Sequence, residues 1–199
     1  MKSASQSQTS TTASAIDINV LIVVDTDTIK AANPTPSQDP ANPTAIGHDT
    51  QYMICADSRG IVGGQATGDL NFLANPGDFI SFTGQSIYAN SDDAVIVYSI
   101  VPFPNSSNVL GGFTVDTVQR SGAVFPNTTT SSQGATAGLP PVKMTGNFIT
   151  LDARVSQAGT ENYSVYFGLY TLDAGGQNQN LYGYFSWDPT ITVAAPAAS

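Results

Sequence analysis

The stretch at residues 16–27 constrains the fold most strongly, because its hydrophobic pattern is that of a central β-strand. Residues 16–20 alternate between apolar and polar side chains, and residues 20–24 form an unbroken apolar run. Alternation is typical of a strand with one solvent-facing side, whereas a continuous β-branched run is typical of a strand covered on both faces. We therefore expect a central strand whose second half is covered on both sides, by its own chain or by a second copy.

A long connection with four prolines follows this strand, and we name residues 25–50 the flap. It contains few large apolar residues, apart from Ile29 and Ile46, and one helical turn is predicted near residues 28–32. Long loops inside a compact domain are either functional or packed against the body of the protein. We expect the flap to fold back over the outer face of residues 20–24.

The remainder of the chain predicts an all-β protein. Short apolar runs separated by turn residues indicate about eight strands, which favours a two-sheet β-sandwich. We expect antiparallel sheets, because no helical crossover is predicted. The middle is the least regular part, with an interrupted strand at residues 109–118 and a polar loop at residues 127–141. The predicted organisation is a disordered tail (1–15), one sandwich domain (16–193) and a C-terminal tail (194–199).

The charge of the chain limits its partners. The 199 residues include 15 acidic and 6 basic residues, which gives a net charge of −9 and a pI near 4.1. Nucleic acids and anionic membrane surfaces both need a positive face, so neither is an expected partner. Residues 1–15 lack the apolar core of a secretory signal, and no run approaches the ~20 apolar residues of a membrane helix. We therefore expect a cytoplasmic protein.

Five sequence blocks resemble a known family. The blocks are LIVVDTDTI (21–29), IGHDTQYMI (46–54), NSDDAVIVY (90–98), GTENYSVYF (159–167) and YGYFSWDP (182–189). They resemble the AidA/PixA family of bacterial inclusion-body-type proteins, and the AidA-like branch more closely. The resemblance implies a single Ig-like sandwich with Greek-key connections, with a jelly roll as the alternative. It also implies an intracellular protein that is linked to quorum sensing and host association and has no established enzymatic activity.

One feature departs from the inclusion-forming members of that family, which are rich in methionine. This chain contains three methionines, Met1, Met53 and Met144. A methionine-storage role is therefore not predicted for it.

Acidic residues near the end of the first strand form one candidate site. Asp25 and Asp27 offer hard oxygen ligands, and Asp39, Asp49 or the pair Asp92 and Asp93 could converge on them to bind calcium. The spacing does not match an EF-hand loop, and aspartates at a strand end more often cap it by bonding to backbone amides. We favour the capping interpretation, and no metal or cofactor is predicted.

His48, the single histidine, is the candidate for catalysis. A hydrolase triad would place it between a serine nucleophile and an orienting carboxylate. The sequence contains no G-x-S-x-G motif, so a hydrogen-bonded loop histidine is the favoured interpretation. We therefore predict that the protein is not an enzyme, and we keep His48 as a low-ranking binding residue.

Two late strands carry a tyrosine-rich face. If residues 161–172 and 181–187 pair, alternation places Tyr166, Tyr170, Tyr182 and Tyr184 on one side. Tyrosine combines an apolar ring with a polar hydroxyl, so this face suits contacts with a protein or a sugar.

The sequence leads to one function hypothesis and two rivals. The leading hypothesis is a non-enzymatic, self-associating or interaction protein of the AidA/PixA inclusion-body type that forms homo-oligomers. The first rival is a calcium-assisted carbohydrate-binding module. The second is a hydrolase that uses His48.

Overall fold

The protein is a β-sandwich, as predicted. A computed structural model describes residues 14–56, 59–129, 134 and 137–196 as two packed sheets with one short helix. Most of the predicted N-terminal tail and residues 197–199 lie outside the described residues, so the domain boundaries stay a prediction. No helix in the described parts of the chain is long and apolar enough to cross a membrane.

The first sheet has five strands, and the opening strand lies inside it. The strands are β1 (Asp17–Val24), β3 (Gln51–Ala56), β6 (Phe79–Ser86), β8 (Thr114–Phe125) and β9 (Val142–Arg154). Their order is β3-β1-β6-β9-β8, so β1 is a central strand with neighbours on both edges. This confirms the central position that the hydrophobic run predicts.

The second sheet contains the other seven strands. They are β2 (Thr44–Ala45), β4 (Ile61–Gly63), β5 (Leu70–Leu73), β7 (Ala94–Pro102), β10 (Gly159–Leu172), β11 (Gln179–Trp187) and β12 (Thr190–Ala194). The order is β2-β11-β10-β12-β5-β4, and β7 also pairs with β10. The helix α1 (Thr26–Ala32) follows β1 directly.

Both sheets are mixed, which corrects the expectation of purely antiparallel pairing. The pairs β1–β6, β2–β11 and β5–β12 are parallel. The chain between β1 and β6 passes through strands of the second sheet. A helix is therefore not the only connection that returns the chain to a parallel neighbour.

The core lies between the sheets and explains why these strands form. Ile18, Val20, Ile22 and Val24 point inward from β1 and are buried. The second sheet supplies the largest buried rings, among them that of Trp187. Truncating a buried aromatic ring to alanine typically costs about 3–5 kcal/mol.

The outer face of β1 is only half covered, and the flap does not cover it as expected. Leu21 and Val23 are partly buried between β3 and β6. The flap contacts β11 instead, where β2 pairs with it and the Tyr184 amide donates to the Ser37 carbonyl. Because β11 otherwise has a bare edge, the flap satisfies backbone groups there.

The interrupted strand expected at residues 109–118 is also corrected. The strand β8 begins at Thr114 and runs to Phe125, and it forms a long antiparallel pair with β9. The two strands form a hairpin, whereas the predicted strand at residues 109–118 covered only the first part of β8.

Candidate functional site

The helix α1 organises the acidic residues at the end of β1. Asp25 is its N-cap: one carboxylate oxygen accepts from the Thr28 amide at 3.1 Å and the other from the Thr28 hydroxyl at 2.7 Å. Asp27 accepts a hydrogen bond from the Tyr88 hydroxyl. That hydrogen bond, and then one from Lys30, lowers the pKa of the Asp27 carboxyl. The capping interpretation of Asp25 agrees with this geometry.

Asp93 joins this group, whereas Asp92 beside it is exposed. The Asp93 carboxylate is buried and accepts from the Lys30 ammonium at 2.6 Å and from the Thr26 hydroxyl at 2.7 Å. Burial alone would lower the pKa of Lys30, but the hydrogen bonds to Asp93 and Asp27 outweigh it and raise the pKa. Lys30 therefore supplies the positive charge between these carboxylates.

His48 lies apart from that group, between two other carboxylates. Its Nδ1 is 3.3 Å from Oδ1 of Asp69, and its Nε2 is 3.2 Å from Oδ1 of Asp188. A neutral imidazole can donate to one of them, whereas a protonated ring can donate to both. His48 thus holds the end of the flap against the turn before β12.

The structure separates the acidic residues beside α1 from His48. Asp25, Asp27 and Asp93 lie beside α1, whereas His48 lies near the β11–β12 corner. Within the described ranges, no group of three or more histidine, cysteine or acidic side chains is placed to hold a metal ion.

A cleft of about 390 Å³ lies between α1 and the later part of the flap. Ile29, Ala45 and Ile46 contribute apolar walls, and Asp49 and Thr50 add polar groups. Mostly apolar clefts with a few polar groups are typical of small-molecule sites. Among the predicted residues, Asp49 is the one that lines this cleft.

The tyrosine surface consists of Tyr98, Tyr166, Tyr170 and Tyr184. The Tyr98 ring lies 5.8 Å from that of Tyr184, edge to face, and 6.1 Å from that of Tyr166. The Tyr170 and Tyr184 rings lie beside Gly168 on β10. Burial and then the neighbouring Tyr184 raise the pKa of Tyr170. Sequence reasoning missed Tyr98, because it belongs to a different part of the chain.

Tyr182 does not join this surface. A register shift in the β10–β11 pair follows Leu169, and the Tyr182 ring packs against the core. Its hydroxyl donates to the Asn33 carbonyl at 2.7 Å and to the Lys30 carbonyl at 3.2 Å. Tyr182 therefore caps the C-terminal end of α1.

Glu161, the single glutamate, is a buried anchor. Its carboxylate accepts from the Val109 and Asn108 amides, both at 3.0 Å, and from the Tyr163 hydroxyl. Burial alone would raise the pKa of Glu161, but these hydrogen bonds and one from Ser106 outweigh it and lower the pKa. The group fixes the connection between β7 and β8.

The β8–β9 hairpin continues beyond the sandwich, and we name residues 114–125 and 142–150 the ribbon. The strand β9 pairs with β6 only from Leu151 to Arg154. Before Leu151, β9 pairs with β8 alone among the described strands. The ribbon therefore has two strands and no sheet neighbour over most of its length.

Exposed apolar side chains concentrate on this ribbon. Val115 and Val124 are each 63% exposed, Met144 is 56% exposed, and Phe148 and Ile149 are each 51% exposed. Apolar residues also face each other across the strands, as in the Val118–Phe148 and Ala123–Met144 pairs. Contiguous exposed apolar surface is typical of an interaction site.

The fold and these surfaces define a β-sandwich protein with an exposed apolar ribbon and an aromatic outer face. The chain belongs to the PixA inclusion body protein family, which matches residues 16–193. The predicted family is thereby confirmed, while the assignment to the AidA-like branch stays a prediction.

A solved structure shows the same fold. The crystal structure of the inclusion body protein (PixA) from Burkholderia cenocepacia J2315 is similar, with a TM-score of 0.76 and 28% sequence identity. The match covers 92% of this chain and 98% of that protein. No curated protein matches this sequence.

Proposed function

We propose that this protein is a non-enzymatic, self-associating member of the PixA inclusion body protein family. The observation that carries the proposal is the ribbon, which exposes Met144, Phe148 and Ile149 without a sheet neighbour in the described chain. Burying apolar surface contributes roughly 25 cal/mol per Å², so a contact in which a second copy covers the ribbon is favourable. The family is not known as enzymatic, which is consistent with this proposal.

The proposal also covers the biological context, the partners and the location of the protein. The resemblance links the chain to quorum sensing and host association, and we extend those links to it on that basis alone. The acidic charge supports a protein partner over nucleic acid or anionic lipid. A cytoplasmic location and homo-oligomers are part of the same proposal.

Light scattering after size exclusion tests self-association directly. Wild-type protein is expected to form oligomers whose mass rises with concentration. Phe148→Ser, on the ribbon, is expected to lower that mass, because it removes exposed apolar surface. Val62→Ser is the matched control, since Val62 is 55% exposed but lies on β4. A wild-type protein that stays monomeric at high concentration would remove the proposal.

A second candidate function is supported by the cleft beside α1. Its volume of about 390 Å³ and its mixed lining suit a small ligand such as a sugar, whose hydroxyl groups can donate to the Asp49 carboxylate. Calorimetry with simple sugars tests this candidate. Heat that disappears in Asp49→Asn would support it, and no heat together with no change in melting temperature would remove it.

A further inference from the structure

We infer that two copies of this protein pair through the outer edge of β8, about a two-fold axis at Val118. The inference rests on the proposed self-association and names the surface, the partner and the register of the contact. The result is a four-stranded sheet in which β8 of one copy lies antiparallel to β8 of the other.

The outer edge of β8 is open along its whole length. The strand is the last one of the first sheet, and it pairs with β9 alone among the described strands. All 12 of its residues, Thr114–Phe125, are exposed or half-exposed, and none of them is a proline. An edge of this kind offers unpaired backbone groups to an additional strand.

The hydrogen bonds of β6 show which way the backbone of β9 turns. The Phe79 amide donates to the carbonyl of Ile16, just before β1, at 2.9 Å. Ile80 therefore turns its backbone groups to the other side, where it is paired with Ala153 of β9. Successive residues of a strand turn to opposite neighbours, so the even-numbered residues of β9, including Phe148, turn their backbone groups to β8.

The open edge of β8 therefore presents the backbone groups of Thr117 and Gln119. Phe148 pairs with Val118, so Val118 turns its amide and carbonyl to β9 while its two neighbours turn theirs outward. The Thr117 amide agrees with this orientation, since it donates to a side chain of its own strand, Oδ1 of Asp116, at 2.8 Å. These outward groups are the ones that a second strand would bond.

Asp116 and Arg120 give this edge a self-complementary charge pattern. Both side chains are exposed, and alternation puts both on the same face of β8 as Val118, which lies midway between them. Four residues of a strand span about 13 Å, so the two groups of one copy are too far apart to pair with each other. Within the described part of the chain, neither group takes part in an ion pair.

A two-fold axis at Val118 pairs these charges between copies. In an antiparallel pair centred there, Asp116 of each copy lies opposite Arg120 of the other, and opposite charges at facing positions stabilise a strand pair. Thr117 then lies opposite Gln119, so the outward backbone groups meet and exchange both hydrogen bonds. An axis at Thr117 or Gln119 would place both charges opposite uncharged residues.

The features that usually protect an edge strand do not oppose this contact. Charged side chains and bulges commonly keep an edge from pairing with another chain. The register shift of β8 lies between Arg120 and Ala123, beyond the centre of the contact. The charges attract a second copy in the two-fold register, because each one faces its opposite.

The pairing also extends the apolar surface of the ribbon. Val118 and Phe148 face each other across β8 and β9, and Phe148 is 51% exposed. In the dimer these side chains form a row of four across the joined strands, in the order Phe148, Val118, Val118 and Phe148. An isolated two-stranded hairpin is marginally stable, whereas three or more strands with an apolar face are stable. The contact therefore stabilises the ribbon itself.

Charge reversal tests this inference. The contact is isologous and closes with two copies, so sedimentation velocity gives its dissociation constant. Asp116→Lys places two pairs of cations in the contact, and Arg120→Glu places two pairs of anions there. Each variant alone is expected to raise the dissociation constant about tenfold or more. Lys143→Glu is the matched control, since it changes the net charge as Arg120→Glu does but lies on β9, and it is expected to leave the constant unchanged.

An equimolar mixture of the two charge variants is expected to restore binding. In the mixed dimer the introduced lysine lies opposite the introduced glutamate, and the native Arg120 lies opposite the native Asp116. Both facing pairs then carry opposite charges, so a 1:1 dimer forms with an affinity close to that of wild type. The double variant Asp116→Lys with Arg120→Glu is expected to dimerise by itself for the same reason. These recoveries also show that each single variant is folded.

A disulfide tests the position of the axis. The two Val118 residues form a pair without mutual backbone hydrogen bonds, in which Cα atoms lie about 4.5 Å apart, and this distance allows a disulfide. Val118→Cys is therefore expected to give a covalent dimer on mild oxidation. Gln119→Cys is the control and is expected to stay uncrosslinked, because its two copies are displaced along the strands. The native Cys55 is buried.

The outcomes separate this inference from the proposed function. If wild-type protein assembles but the mixture of charge variants does not recover, the inference is wrong while self-association stands. A covalent dimer of Gln119→Cys in place of Val118→Cys would move the axis and would also overturn the inference. A wild-type protein that stays monomeric would overturn both.

Discussion

The Lys30 ammonium lies 2.6 Å from Oδ2 of Asp93, and this ion pair joins α1 to the turn that precedes β7. The Asp93 side chain is 7% exposed, whereas that of Lys30 is 27% exposed. The carboxylate therefore depends on the lysine more than the lysine depends on the carboxylate. This asymmetry leads to the first prediction.

Lys30→Met is expected to lower the free energy of unfolding by about 3 kcal/mol, because it leaves a buried carboxylate without its counter-charge. The double variant Lys30→Met with Asp93→Asn should recover at least half of that loss. Urea unfolding measures both effects. Lys143→Met on the exposed ribbon is the control and is expected to change stability by less than about 0.5 kcal/mol. Equal losses of stability in Lys30→Met and in the Lys143→Met control would contradict the prediction.

Asp78 should control part of the stability at low pH. It accepts from Arg59 Nε at 2.6 Å and from the Asn75 and Ile16 amides at 2.8 and 3.1 Å. Burial alone would raise the pKa of Asp78, but these hydrogen bonds outweigh it and lower the pKa. Its contribution is therefore present above the ordinary aspartate pKa and is lost as the pH falls through the lower folded-state value.

Asp78→Asn is expected to cost about 3 kcal/mol at pH 7. The difference from wild type should shrink as the pH falls from about 5 to about 2, since the wild-type carboxyl then becomes neutral. Urea unfolding at several pH values measures this convergence. Asp116→Asn, on the exposed ribbon, is the control. A constant difference across that range would show that Asp78 does not act through its charge.

Gly183 should be required for the flap to dock. A Cβ atom at this position would lie 2.4 Å from Cγ of Pro36, so Gly183→Ala is expected to cost about 1–3 kcal/mol. Faster deuterium exchange at the Tyr184 amide, which donates to the Ser37 carbonyl, would report displacement of the flap. Gly112→Ala is the matched control, since no described residue beyond its two chain neighbours has an atom within 4 Å of its Cβ position. Unchanged exchange in Gly183→Ala would contradict the packing described.

Tyr182→Phe should destabilise the end of α1. The substitution removes the hydroxyl that donates to the Asn33 and Lys30 carbonyls, and a lost hydrogen bond of this kind costs about 1 kcal/mol. Thermal or urea unfolding measures the change. Tyr166→Phe is the control, because no hydrogen bond joins its hydroxyl to another described residue. An equal or larger loss of stability in Tyr166→Phe would mean that the Tyr182 hydroxyl does not stabilise the end of α1.

The strand positions could be predicted because the burial of a strand is visible in the pattern of neighbouring residues. Residues 16–24 predicted a central strand, and the alternation in β10 predicted that Tyr166 and Tyr170 lie on one side of it, opposite the buried Phe167 and Leu169. A pleated strand turns successive side chains to opposite faces, so this information is contained in neighbouring residues. The same reasoning failed for Tyr182, because a register shift changes the alternation locally.

The candidate sites could be predicted less well, because their partners are distant in the chain. Lys30 and Asp93 are 63 residues apart, and His48 and Asp188 are 140 residues apart. No local pattern encodes the order of strands that brings such pairs together. Of the predicted residues, Asp25, Asp27 and Asp93 therefore gather beside α1, whereas His48 contacts two carboxylates that were not predicted.

The amino-acid sequence by itself determined that this chain forms a β-sandwich, because alternating burial and turn residues are local properties, and its five sequence blocks carried the resemblance to the family. The tertiary structure alone decided which surfaces stay open. The strand β6 stays paired with β1 as far as Ser86, but it pairs with β9 only up to Phe82. The ribbon begins where β9 separates from β6, and it remains exposed because no other described strand pairs with β9 there.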